Sequence, residues 1–216
     1  MMGVNLTSGG SLQWWVDSVL QGLAGIPQKN RYAAATKEAS KVQAGSNGLV
    51  FLPYLNGERT PHADPKARGS FVGMNLTHTR GHMTRSVMEG ITFALRDSLD
   101  IIQSLDVPVR QIRASGGGSK NPLWRQMQAD IFGKKITTLE VEQGPAFGVA
   151  LLAAVGDGAY RSIESACKAT IKVADETPPN RSAVKQYNQL FPVYRDLYGQ
   201  LRESMASLAD YQASQI

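Results

Sequence analysis

The chain has 216 residues, enough for one large domain or two small ones around a sizeable core. Apolar residues at 42% and charged residues at 19% are proportions of a soluble globular protein and exclude a disordered or fibrous chain. The 23 Lys and Arg exceed the 18 Asp and Glu by five, but they are scattered (Lys66/Arg68, Arg80/Arg85, Arg110/Arg113, Lys134/Lys135), so no nucleic-acid partner is expected.

Cys167 is alone, which rules out an intrachain disulfide and a cysteine-built zinc site and fits a reducing compartment. His62, His78 and His82 lack the two-ligands-per-turn spacing of a metal site, so surface or capping roles are expected and no metal ligand is assigned. No signal peptide is read at the start and no apolar run approaches a membrane span. The expectation is a cytoplasmic chain with no membrane contact; a homodimer stays open.

The chain opens abruptly. Met1 to Thr7 lead without linker or tail into Ser8-Gly9-Gly10-Ser11, and Leu12, Trp15, Val16 and Val19 then follow at helical spacing. The segment reads as one that begins inside a fold. A polar stretch from Gln28 to Gln43 predicts a short helix, ended by Gly45-Ser46-Asn47-Gly48. Leu49 to Leu52 read as a buried strand stopped by Pro53, and 56–68 as a long irregular loop.

From Arg80 to Leu105 one apolar stripe (Met83, Val87, Ile91, Leu95, Leu99, Ile102) predicts a long amphipathic helix. A strand at 110–115 is expected inside a mixed sheet, with the turn 116–121 at its end facing a cleft. In that turn, Gly116-Gly117-Gly118 allow positive φ and leave no side chain in the way of a flat or charged ligand. Asn121 then caps a helix with Pro122 at its first position. The same turn would also serve as a plain strand-to-helix connection. Neither standard phosphate motif fits: the Walker order Gly-Lys-Ser/Thr is absent, and GxGxxG would need glycine where Asn121 stands.

Leu123, Trp124, Met127 and Ile131 line one helix face, and Ile136 to Leu139 form a short strand. Gly144-Pro145 open a helix rich in small residues. Beyond 178–180, a periodic C-terminal segment contains Pro192, expected to kink or split it. Helices alternating with short strands make the class α/β.

Gly69-Ser70-Phe71-Val72-Gly73-Met74, followed after seven residues by His82 to Gly90, resembles the C-terminal signature of the FGGY carbohydrate kinases. Gly9 to Trp15 are similar to the opening of that family's second half. Pro53 to His62 resemble the loop of its xylulose kinases, and Ser115 to Asn121 with Trp124-Arg125-Gln126-Met127 its adenosine loop and following helix. Glu142-Gln143-Gly144-Pro145-Ala146 with Gly148 are similar to its last helix start. The likeness runs from residue 2 to residue 205, leaving 206–216 as helix end or tail.

The resemblance implies an actin-like ATPase (ribonuclease-H-like) domain, with a mixed sheet flanked by helices. It implies the ATP-binding C-terminal half of a kinase for xylulose or for another sugar or polyol such as gluconate, ribulose or glycerol. A stand-alone actin-like nucleotide module is the alternative. Carried over by position, ATP-binding residues are Gly117, Gly118 and Asn121 on the adenine side and Gly9 and Gln13 toward the phosphates, with Mg2+ accompanying ATP. Glu89 is read as a structural acid. Arg59 and His62 are read as loop-stabilising, with contact to a partner domain or substrate as the alternative. No carboxylate here matches the family's catalytic aspartate; it and the sugar contacts are expected in an N-terminal half, so this chain alone is expected to be inactive.

Overall fold

The long periodic segment forms α3, Arg80–Ser104, and much of the chain is arranged about it. A computed structural model describes residues 2–20, 25–140 and 144–215. Thr79 caps α3, and its N–H donates to His82 Nδ1 at 3.2 Å, so His82 has the expected capping role. Val87 and Ile91 of the expected stripe are fully buried. The opposite face is buried as well, through Met88, Glu89, Phe93 and Asp97. A simple amphipathic helix would leave that face wet; here neighbours pack on several sides of α3.

Strand β1, Val50–Leu52, explains how two cores share this helix. Successive strand residues point to opposite faces. Phe51 joins a first core with Leu12, Trp15, Val16, Val87, Met88, Ile91, Trp124 and Met127. Val50 and Leu52 join a second with Tyr54, Phe93, Ile131, Tyr187, Phe191, Tyr194 and Met205. β2, Ser70–Val72, pairs antiparallel with β1 in the register Val50↔Val72.

The signature glycines make this packing possible. A Cβ on Gly90 would overlap the Phe51 carbonyl oxygen, so α3 lies against the β1 backbone only because nothing projects there. Gly73 has φ +87, and a Cβ on it would sit 2.6 Å from the Gly48 carbonyl.

Before β1, α1 (Ser8–Trp14) runs on into a π-helical turn, Trp15–Val19, and α2 spans Gln28–Ala39. Trp15 Nε1 donates to Thr84 Oγ1 on α3 at 2.9 Å. A 3-10 turn, Ser46–Gly48, precedes β1.

The second sheet is mixed and small. β3 (Ile112–Arg113) runs parallel to β4 (Ile136–Leu139), and β5 (Val173–Thr177) runs antiparallel to β4, in the order β3-β4-β5. The sheet is mixed as expected, but β3 lies at its edge and not inside it, and only two of the residues in 110–115 are strand. Pairing goes one step further, through Ala114 N–H to Thr137 O at 2.9 Å. The four-residue α4 (Gly117–Lys120) and α5 (Pro122–Phe132) link β3 to β4; α6 (Pro145–Gly156) and α7 (Ile163–Thr170) link β4 to β5.

α8, Arg181–Ala213, is one helix through Pro192, so the proline does not split it. Phe191 and Tyr194 flank the proline and are buried in the second core, and that burial outweighs the lost backbone bond. The helix passes residue 205, and Ala209 is still buried. Among the described residues no helix is long and apolar enough to cross a membrane.

Candidate functional site

The turn 116–121 assigns a different task to each glycine. Gly116 alone takes positive φ, at +79. Its carbonyl accepts from Ser119 N–H at 3.1 Å and Ser119 Oγ at 2.7 Å, which closes the turn. Gly117 is exposed, and a Cβ there would meet nothing within 4 Å. Gly118 is half-buried: a Cβ would approach the Trp124 ring to 3.3 Å and Gln128 Nε2 to 3.6 Å. Trp124 is itself held by Nε1–H donating to Thr92 Oγ1 on α3 at 3.0 Å. So conformation needs Gly116, packing needs Gly118, and the surface over Gly117 is open to a flat ligand.

Asn121 is the helix cap expected of it: Oδ1 accepts the Trp124 N–H at 3.2 Å. That bond engages the carbonyl end of the amide. Beside the turn lies a cleft of about 440 Å³ lined by Ser119, Lys120, Arg125, Leu139, Glu140 and Asp175, among others. The turn reaches this groove through Ser119 and Lys120, while Gly117, Gly118 and Asn121 are not among the residues that line it.

Gly9 and Gln13 are both exposed on α1, and a Cβ on Gly9 would meet nothing within 4 Å. Their segment and the turn are related through the core beneath them, where Leu12 and Trp15 pack in one cluster with Trp124 and Met127. Of the last helix start, Glu142 and Gln143 lie outside the described residues, while Gly144 and Gly148 are exposed at α6.

Glu89 is a structural acid, as expected. It is buried, with Oε1 accepting from Arg85 Nε at 2.7 Å, the Tyr187 hydroxyl at 2.7 Å and Gly45 N–H at 3.0 Å. Ser46 Oγ donates to Oε2 at 2.8 Å. Burial raises the Tyr187 hydroxyl far above its ordinary pKa, so it stays a donor. Every carboxylate lone pair in use points at protein.

The 56–68 loop is tied to the start of the chain and to itself by a residue whose role sequence reasoning passed over. Buried Glu58 accepts Leu6 N–H at 3.0 Å and Arg59 N–H at 2.7 Å. His62 stacks on Tyr198 with ring centroids 3.5 Å apart, while Arg59 is exposed.

Two acids, Asp97 and Asp130, are shifted upward, and neither is poised for chemistry at the turn. Burial raises the Asp97 carboxyl to about 6; it pairs with Arg195 at 3.1 Å beside a separate cleft that His62 also lines. Burial also raises Asp130, whose Oδ1 accepts Asn180 N–H at 2.6 Å and Gln126 Nε2 at 2.8 Å. Among the described residues no group of three or more His, Cys, Asp and Glu could hold a metal ion.

Comparison with known proteins identifies the family and the fold. Residues 1–156 match the profile of the FGGY family of carbohydrate kinases, C-terminal domain. The xylulose kinase of Bacillus subtilis (strain 168) is 39% identical over 220 residues, covering 98% of this chain and 41% of the relative. The crystal structure of ligand-bound xylulose kinase from Lactobacillus acidophilus superposes with a TM-score of 0.84 at 31% identity, over 94% of this chain and 40% of that one. The gluconate kinase from Lactobacillus acidophilus gives a TM-score of 0.83, also at 31% identity and with the same coverage. The chain thus spans about two fifths of the length of these relatives, and its fold is their actin-like ATPase fold. On this likeness of sequence and fold together, the chain belongs to the FGGY family of carbohydrate kinases.

Proposed function

We propose that this chain is the ATP-binding half of a cytoplasmic kinase that transfers the γ-phosphate of ATP to a hydroxyl of D-xylulose. The observation that carries the reading is the open backbone at Gly117, set on a turn made rigid by Gly116 and packed by Gly118. Adenine lies against Gly117 and Gly118, and the Asn121 amide nitrogen donates to base or ribose. Gly9 and Gln13, exposed on α1, approach the phosphates.

Phosphoryl transfer is mostly positioning and charge stabilisation. Mg2+ enters with the ATP phosphates, the hard oxygen donors it prefers, because the described residues offer it no cluster of their own. No carboxylate here is assigned as general base. Asp97 and Asp130 are engaged elsewhere, and the family resemblance puts the base and the sugar contacts in the part of the relatives outside the matched two fifths.

Xylulose is preferred because the Bacillus subtilis relative is a xylulose kinase and the 53–62 loop agrees. Gluconate is the second reading, supported by the near-equal superposition of the gluconate kinase.

Calorimetric titration of the 216-residue chain with ADP and ATP tests the site. A coupled ADP-release assay with Mg2+ and xylulose or gluconate, with and without the remaining part of the Bacillus subtilis enzyme in trans, tests the activity. Nucleotide should bind the chain alone, while turnover should need both parts and favour xylulose. An absence of binding heat would remove the site; turnover by the chain alone would place the base within it.

A further inference from the structure

Trp124, Arg125 and Gln126 are consecutive on the first turns of α5, and each ties that helix to a different element. Trp124 donates to Thr92 on α3. Gln126 Nε2 donates to Pro178 O at 3.0 Å, on the approach to α8. Arg125 turns the other way: Nη1 donates to Ser119 O at 3.1 Å and Nη2 to Asp175 Oδ2, on β5, at 3.1 Å.

We propose that Arg125 is a positioning residue for the nucleotide turn, its guanidinium clamping the Ser119 carbonyl to the Asp175 carboxylate; this rests on the proposed function. The contacts form a chain. Asp175 is oriented by Glu176 N–H donating to Oδ1 at 2.8 Å, Arg125 bridges to Ser119, and buried Ser119 closes on the Gly116 carbonyl. Arg125 thus links the turn, closed on its one position of left-handed φ, to β5.

A planar fork suits this task, because two donors are presented at fixed separation, which an ammonium cannot do. The arrangement also leaves Arg125 Nε buried with no hydrogen-bond partner. A buried unpaired donor costs free energy and calls for a reason, and fixing the turn supplies one. Folding stability alone does not: the Asp175 side chain is 56% exposed, and such pairs contribute little. The neighbouring Lys135–Glu176 pair, at 2.7 Å, ties the residue before β4 to the same strand β5 without reaching the turn and serves as a control.

The test uses the 216-residue chain, with ADP calorimetry as one readout and amide exchange at 116–121 without nucleotide as the other. Arg125→Ala should weaken ADP about tenfold, the worth of one lost charge-assisted bond, and speed exchange across the turn. Arg125→Lys should keep most of that defect. Asp175→Asn, at an exposed residue and so safe for folding, should show a smaller change of the same sign, and Lys135→Ala none. Wild-type affinity and exchange in Arg125→Ala, or full rescue by lysine, would overturn the proposal while leaving the nucleotide site standing. A wild-type chain that binds no ADP would instead remove the nucleotide site, and the proposal with it, whatever the exchange rates show.

Discussion

The glycines of this domain fall into two regions with opposite demands. Between β1, β2 and α3, Gly73 and Gly90 sit where a single methyl group meets main-chain carbonyls. At the start of α1 and in the 116–121 turn, Gly9, Gly10, Gly116 and Gly117 face open space. The first set lets backbones approach each other; the second leaves backbone exposed to something else. The family signature around residues 69–90 is thus mainly a packing device, and the candidate site lies outside it, at the start of α1 and in the 116–121 turn.

Substitution should separate the two regions by the size and kind of its effect. Glu89→Ala strands Arg85, buried on the packed side, without its counter-charge and should cost about 3–5 kcal/mol. A chemical-denaturation midpoint close to wild type would mean that water enters this pocket. Gly90→Ala comes next, at about 2–3 kcal/mol, because the new methyl group would run into the Phe51 main chain of β1. That corresponds to a fall of roughly 5–10 °C in Tm, and an unshifted melt would show that α3 can slide off β1.

Gly117→Val reverses the pattern. Stability should stay within about 0.5 kcal/mol of wild type, while calorimetry with ATP should show binding abolished. Unchanged affinity would take the turn out of the site and erase the contrast between the two regions.

The smallest effect is a pH dependence within the packed side. Asp97 and His62 line one cleft, and burial moves both: the carboxyl up to about 6, the imidazole down to about 4. The folded protein holds the Asp97 proton more tightly than the unfolded chain, so this group lowers stability as pH rises from about 4 to about 6. For His62 the unfolded chain holds the proton more tightly, so stability rises from about pH 4 toward 6.5. The two slopes oppose each other in the wild type. Asp97→Asn should unmask a melting temperature that rises with pH over this window, and His62→Gln one that falls. Identical slopes in both variants would mean that the cleft stays hydrated.

What could be read in advance follows the same division. The α3 stripe, the Asn121 cap and the open turn are local, and their residues state them directly. Burial on the far side of α3 could not be read, because it depends on Tyr187, 98 residues from Glu89. α7 and β5 also went unread. β5 is mostly exposed and acidic at Asp175 and Glu176, so it shows no clear alternation, although Ser162 capping Ser165 N–H at 3.2 Å marks the start of α7. The edge position of β3 depends on which strands pair, which a two-residue strand does not encode. In the site, Arg125 was legible only as part of a motif; its reach to Asp175 spans 50 residues.

The seating of α8 in the second core has a consequence for biosynthesis. Tyr187, Phe191 and Tyr194 supply three of the five buried aromatics of that core and cover Phe93. A ribosome delivers Glu89 and its helix 98 residues before Tyr187, an interval on the order of 5–20 s at ordinary elongation rates. Through that interval the nascent helix carries an acid lacking its tyrosine donor and an apolar flank with no lid. Helix α8 therefore completes the second core, and the flank around Phe93 stays uncovered until it is made.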